Sequence, residues 1–250
     1  MNKAVIRIKK HAIITLLNLP KGSYEWRMND MVTFKDVKHN KEINTYIAKA
    51  DETMEAMGYT EHSFAHVTKS AVRAAEILQV LQYPERVLEL TKIAGYMHDI
   101  GNVINRQAHA QSGAIMAFRI LDKLGMDPEE IAMVVTAIGH HDEGSAVPVN
   151  AIAAALILAD KSDVRESRVR NRGTIDGFDI HDRVNHAVKK SELELDEKNG
   201  TISLHLEIDT EFSSVMDYFE IFLGRMKLCR QAAEFLGLRF KLVANGVGLM

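Results

Sequence analysis

Apolar residues recur every three or four positions through most of the first two thirds of the chain. Between residues 35 and 58 they are Ile43, Tyr46, Ile47, Ala50, Met54 and Met57. That period places them on one helical face, and Gly58 closes the element. A second helix is expected over 61–82, with Ala71, Ala74, Ala75, Leu78 and Leu81 as its buried stripe. Pro84-Glu85 opens a third, which runs through Leu88, Ile93, Ala94 and Met97 to His98 and ends at Gly101. A fourth spans 111–124. A fifth starts at Pro128 and reaches the His140 region. A sixth, rich in alanine, covers 150–165. The period then changes. Residues 192–196 alternate polar and apolar, Asn199-Gly200 signals a hairpin, and Ile202, Leu204, Leu206 and Ile208 alternate again. An amphipathic helix over 212–236, stopped by Gly237, precedes a last strand at 238–243. The expected fold is mainly α: a helical bundle with a small C-terminal α+β unit of β-hairpin, helix and strand. The expected divisions are an N-terminal extension at 1–30, the helical domain at 31–175 and the α+β region at 176–250.

Composition narrows the function classes. The chain has 250 residues, 46% of them apolar, which suffices for one full core and a small second one. A net charge of −3 shows no basic excess for nucleic acid. A single cysteine, Cys229, excludes an internal disulfide and a thiolate metal cluster, and it fits a reducing compartment. Lys3, Arg7, Lys9 and Lys10 precede a short apolar run at 12–19, faintly like a leader, but Pro20-Lys21-Gly22 follows in place of a small-residue cleavage site. No stretch approaches the roughly 20 apolar residues of a membrane helix. The expectation is a soluble, cytoplasmic protein.

Six histidines lie between His62 and His141, and carboxylates accompany them. His62 and His66 are four apart, which on a helix puts both on one face. His98-Asp99 ends an apolar helix; neighbouring side chains there diverge by about 100° and converge only if the backbone bends, which Gly101 permits. His109 precedes an apolar helix, where it can cap or ligate. His140-His141 is followed by Asp142-Glu143. Asp160 closes the apolar run at 153–159, and a carboxylate buried there needs a charged or metal partner. Lys161 is the ordinary partner and a metal the alternative. Taken singly, each piece has an unremarkable reading as surface histidine, dipole cap or ion pair. Together, imidazoles closed by carboxylates suit a divalent transition metal.

The order of these residues resembles the HD-domain phosphohydrolase superfamily, whose signature is H…HD…D on an all-α bundle. The segments HVTKSAVRAAEIL, AGYMHDIGN and ALILADKSDV carry the likeness over roughly residues 60–170. His109 in HAQSGA and His140-His141 in IGHHDE look like the subgroup with a second metal, which includes the HD-GYP phosphodiesterases. The resemblance implies that His66, His98, Asp99 and Asp160 hold a first metal, and that Asp99 bridges to a second held by His109, His140 and His141. His62 matches a position where some relatives carry an extra ligand or a polar active-site group. Asn102 stands where many relatives have lysine, and the GYP segment is missing, which argues against cyclic di-GMP.

The implied activity is hydrolysis of a phosphoester, mono- or diester, of a nucleotide or related small molecule, by metal-activated water. Asp99, Lys161 and His62 are the catalytic candidates. Two divalent ions are expected, Fe or Mn ahead of Zn, Mg or Ni. Asp142, Glu143 and Asp163 are candidate partners for the ligand histidines. Lys69 and Arg73 are candidates for the mouth of the site. Arg165, Arg168, Arg170 and Arg172 are candidates for a flap over phosphate, or else a solvated helix end. Two other readings stay open: an HD-type di-iron oxygenase, and a non-catalytic ligand-binding module. A phosphate-bearing small molecule is the expected partner, with a homodimer covering the sheet edges as a further option; neither membrane nor nucleic acid is expected.

Overall fold

A computed structural model describes residues 31–144, 146–170 and 180–249. The expected first helix is broken in two, α1 at Phe34–Lys38 and α2 at Lys41–Ala56, because Asn40 caps a new start with its side chain accepting from the Ile43 amide. Helix α3 is Phe64–Val80, N-capped by Ser63, and α4 is Glu85–Met97. A 3₁₀ turn, Ile100–Val103, leads to α5 at His109–Lys123. Helix α6 is Pro128–Gly139, with proline in its first turn behind the Asp127 cap. Helix α7 is Ala151–Lys161, and every one of its residues is buried. Its alanines suit this central position, because small side chains let neighbouring helices approach closely. Helices α3, α4, α6 and α9 all pack on it.

The C-terminal part contains the expected hairpin and helix and adds to them. A short helix, α8 (Ile180–Ala187), runs directly into β1 (Val188–Asp196), which pairs antiparallel with β2 (Thr201–Ile208) through the Asn199-Gly200 turn. Helix α9 (Val215–Phe235) starts at a capping box between Ser214 and Asp217, three residues later than the pattern suggests. It crosses back so that β3 (Arg239–Ala244) lies parallel to β2, and β4 (Val247–Gly248) pairs with β3. One hydrophobic core runs through helices and sheet alike. Among the described residues no helix is long and apolar enough to cross a membrane.

Candidate metal centre

The site forms where α3, α4, α5 and α7 meet. Helix α4 ends at Met97, so His98 and Asp99 leave the helix through a bend into the 3₁₀ turn. Gly101 makes that bend useful by closeness of approach. A Cβ there would stand 2.0 Å from the His109 carbonyl oxygen and 2.5 Å from the Gly113 nitrogen. The missing side chain lets the start of α5 lie against the turn, which brings His109 within reach of Asp99. Gly95 performs the same service one turn earlier, where its Cβ would meet the Ala71 Cα at 2.5 Å. This seats α4 tightly on α3, the helix that carries His66.

Two expectations about the histidines change. His62 is not on a helix with His66; it precedes the Ser63 cap, because the Ser63 hydroxyl accepts from the Ala65 amide and starts α3 there. His109 does not precede its helix but is the first residue of α5, entered through Ala108 in a left-handed conformation.

Five imidazoles are oriented in the same way. The Nδ1 of His62 donates to the Thr60 carbonyl at 2.7 Å, that of His98 to Gly95 at 2.7 Å, that of His109 to Arg106 at 3.0 Å and that of His141 to Ile138 at 2.6 Å. His66 Nδ1 donates to the Asp163 carboxylate at 2.8 Å. A carbonyl or an ionised carboxylate can only accept, so each of these contacts places a proton on Nδ1, and in the neutral ring Nε2 keeps the lone pair. The Nε2 atoms of His66 and His98 are buried without a hydrogen-bond partner among the described residues. Those of His109 and His141 face one another at 3.2 Å, with Arg106 Nη1 also 3.2 Å from His109 Nε2. Two lone pairs at that separation repel unless a cation or proton stands beside them.

The carboxylates complete the pattern. Asp99 Oδ2 lies 3.6 Å from His66 Nε2 and 3.3 Å from His98 Nε2, while its Oδ1 lies 3.5 Å from His109 Nε2 and 3.9 Å from His141 Nε2. Each oxygen of one carboxylate thus faces a different pair of imidazoles. Asp160 Oδ1 adds to the first pair, 3.2 Å from His66 Nε2 and 3.7 Å from His98 Nε2. Ligand atoms of His66, His98 and Asp160, and likewise of His98, Asp99 and His141, lie within 4.8 Å of one another. Nitrogen and oxygen donors gathered this closely, with bare imidazole nitrogens turned inward, fit a divalent cation.

Electrostatics agree with the geometry. Burial holds the His62 and His141 imidazoles well below their ordinary value and lowers His109, so all three are neutral and ready to ligate. Burial works against a charge on His98 too, but Asp99 and Asp160 outweigh it and raise that imidazole to about 10. Burial would raise the Asp99 and Asp160 carboxyls, yet His98 beside the first and Lys161 beside the second keep both well below the usual carboxylate range. The pair of carboxylates therefore draws positive charge into the site.

Residues 59–167 match the family model for the HD domain. The chain carries an HD domain. The superfamily is one of metal-dependent phosphohydrolases, and its helical fold and His/Asp cluster are both present here. An uncharacterized protein of Methanocaldococcus jannaschii is 26% identical over 188 positions, which cover 66% of this chain and 72% of the relative. No solved structure matches the chain.

Within this HD domain, the structure brings together His62, His66, His98, Asp99, His109, His141, Asp160 and Lys161. His140 takes no part in the contacts that join them; its Nδ1 is buried and has no hydrogen-bond partner among the described residues. Lys69 and Arg73 do not line the central cavity. Lys69 pairs with Asp163 at 2.6 Å, and Arg73 donates to the Leu193 carbonyl, tying α3 to β1. In the basic run, Arg165 pairs with Asp163 and Glu61, and Arg170 with Asp51 and Glu55; Arg172 lies outside the described residues. Arg168 does reach the cavity, together with Arg106 and Arg225. Arg106 and Arg225 carry no local signal that marks them in the sequence. Arg225 sits on α9, beyond the HD match.

Proposed function

We propose that the protein hydrolyses a phosphoester of a small molecule at a two-cation centre. The observation that carries this reading is Asp99, whose two carboxylate oxygens face two separate imidazole pairs. His66, His98, Asp99 and Asp160 would hold one cation, and His109, His141 and Asp99 the other. When bound, such cations supply charge to phosphoryl oxygens and a water acidic enough to be hydroxide near neutral pH. The all-nitrogen-and-oxygen donor set is compatible with iron or manganese, and equally with zinc, nickel or magnesium.

The chain's own residues do the remaining work. The Nδ1 protons held by Thr60, Gly95, Arg106 and Ile138 keep each Nε2 available and each ring fixed. His62 lines the cavity as a neutral imidazole with a bare Nε2, so it can accept or relay a proton there. Lys161 also lines the cavity, 2.8 Å from Asp160 Oδ2, and burial against its charge is outweighed by Asp160 and Glu143, which raise its ammonium. It remains a cation and is suited to contact phosphate.

The test is metal content of the purified protein together with turnover of p-nitrophenyl phosphate and its bis-ester. Two ions per chain and turnover lost in Asp99→Ala are expected. Protein that takes up no metal on reconstitution, or that turns over neither ester when loaded, overturns the reading.

A further inference from the structure

The cavity beside the metal ligands is lined by His62, Asp99, Arg106, His109, His141, Asp160, Lys161, Arg168 and Arg225. Every one is ionisable. Among the described residues, no aliphatic or aromatic side chain that would seat a base or an acyl chain lines it. A cleft lined by charged and polar groups suits a phosphoryl group better than an apolar part of a substrate.

The four cations are not equivalent. Arg168 is spent on the fold, since its Nε donates to the Glu61 carbonyl at 2.9 Å and its Nη1 to the Asp163 carbonyl at 2.8 Å. Arg106 has no carboxylate partner among the described residues; its Nη1 makes long contacts to Asn102 and His109, and its guanidinium lies 5.9 Å from the Tyr59 ring centroid. Lys161 and Arg225 share one tether. Glu143 pairs closely with Arg225 Nε and stands 3.7 Å from Lys161 Nζ, while Glu143 itself does not line the cavity. The Arg225 guanidinium also stacks over Phe222, 4.3 Å from the ring centroid, which fixes its plane, and among the described residues only its Nε is paired with a carboxylate. A planar guanidinium held in place at the lining of this polar cleft is a fork for two phosphate oxygens.

We propose that Arg225, supplied by α9 from outside the HD match, recognises the terminal phosphate of a phosphomonoester together with Arg106 and Lys161. This rests on the phosphohydrolase reading and names its substrate class. A monoester dianion takes up the charge of several cations and needs only one exit for its single ester substituent. A diester offers one negative charge and must place two substituents outside the cleft. Glu143 holds on Arg225 and Lys161 the place that the phosphate would take. The C-terminal unit then contributes directly to substrate selection as well as to the core.

Two variants of the full chain decide it, with inorganic phosphate as the calorimetric probe and the two p-nitrophenyl esters as substrates. Arg225→Met should weaken phosphate binding and raise KM for the monoester by about 10- to 100-fold, with a smaller change in kcat. Glu143→Gln removes the competing carboxylate, so phosphate should bind as tightly as to wild type or more tightly. A merely structural Arg225–Glu143 pair would instead make both variants behave alike. Equal weakening in the two, an unchanged phosphate affinity in Arg225→Met, or a wild-type preference for the bis-ester overturns the proposal. Absence of turnover for both esters in wild type overturns the phosphohydrolase reading, and phosphate calorimetry then still reports on Arg225.

Discussion

Asp163 Oδ2 accepts a hydrogen bond from His66 Nδ1 at 2.8 Å, across 97 residues of sequence. The carboxylate is 1% exposed and also receives Lys69 at 2.6 Å and Arg165 at 3.1 Å. Burial alone would raise its carboxyl, but the bonds from His66 and Lys69 and the charge of Arg168 hold it below the usual range. An ionised partner on Nδ1 fixes the ring and makes Nε2 more basic. Asp163→Asn should therefore weaken metal binding by about 10- to 100-fold. Lys69→Met removes a neighbour of the same carboxylate but leaves the His66 bond, so its metal affinity should stay close to wild type. Competition with a fluorescent chelator measures both; equal affinity in Asp163→Asn and wild type would show that the contact does not tune the ligand.

The adjacent histidines divide sharply. His141 Nε2 stands 3.2 Å from His109 Nε2 and faces Asp99, whereas His140 is outside that network. His141→Ala should lower bound metal by one ion per chain. His140→Ala should leave the metal content unchanged. Elemental analysis of the two variants after identical reconstitution separates them, and loss of an ion from His140→Ala would mean that this side chain turns inward on binding.

Gly101 and Gly224 give opposite expectations for the same substitution. A methyl group at Gly101 meets backbone at 2.0 Å and cannot be relieved by a rotamer change, so Gly101→Ala should destabilise the fold by more than about 3 kcal/mol and abolish metal binding. At Gly224, inside α9, nothing lies within 4 Å of the added methyl. There the substitution should stabilise by about 0.5–1 kcal/mol through helix propensity alone. Thermal melts of the two variants read both signs.

The contrast between those glycines shows which parts of this molecule local sequence encodes. Apolar periodicity reports burial of one face, and for α3, α4, α6 and the β1–β2 hairpin that face is the core, so the elements are legible. The resemblance of the residue order to the HD domain likewise implies a common site for His66, His98, Asp99 and Asp160. Where local chemistry competes, the pattern misleads. Asn40 and Ser63 cap new helices with their own side chains, which splits the first helix and leaves His62 ahead of α3. Long-range approach leaves no periodic trace at all. The parallel pairing of β3 with β2, the seat that Gly101 makes for α5, and the arrival of Arg225 in the cavity all depend on elements far apart in sequence.

Cys229 and Tyr218 make alkaline stability a test of the α9 packing. Both side chains are 1% exposed on the buried face of that helix. Burial raises the Cys229 thiol to about 12 from an ordinary value of 9.0, and burial also raises the Tyr218 phenol. A raised folded-state value means that the unfolded chain releases the proton first. The stability tied to each group is then whole below pH 9 and falls as pH rises toward 12. The slope approaches about 1.4 kcal/mol per pH unit for each group once its unfolded form has ionised. Cys229→Ala should remove the thiol's share of this slope, though the variant loses some packing at every pH. Urea unfolding between pH 8 and 11 gives the difference in slope, which the packing loss does not affect. At pH 8 the native thiol should also resist iodoacetamide and react only after unfolding, since the thiolate is the nucleophile. Rapid labelling of the native protein, or parallel pH slopes for wild type and Cys229→Ala, would show that α9 opens and admits water at its buried face.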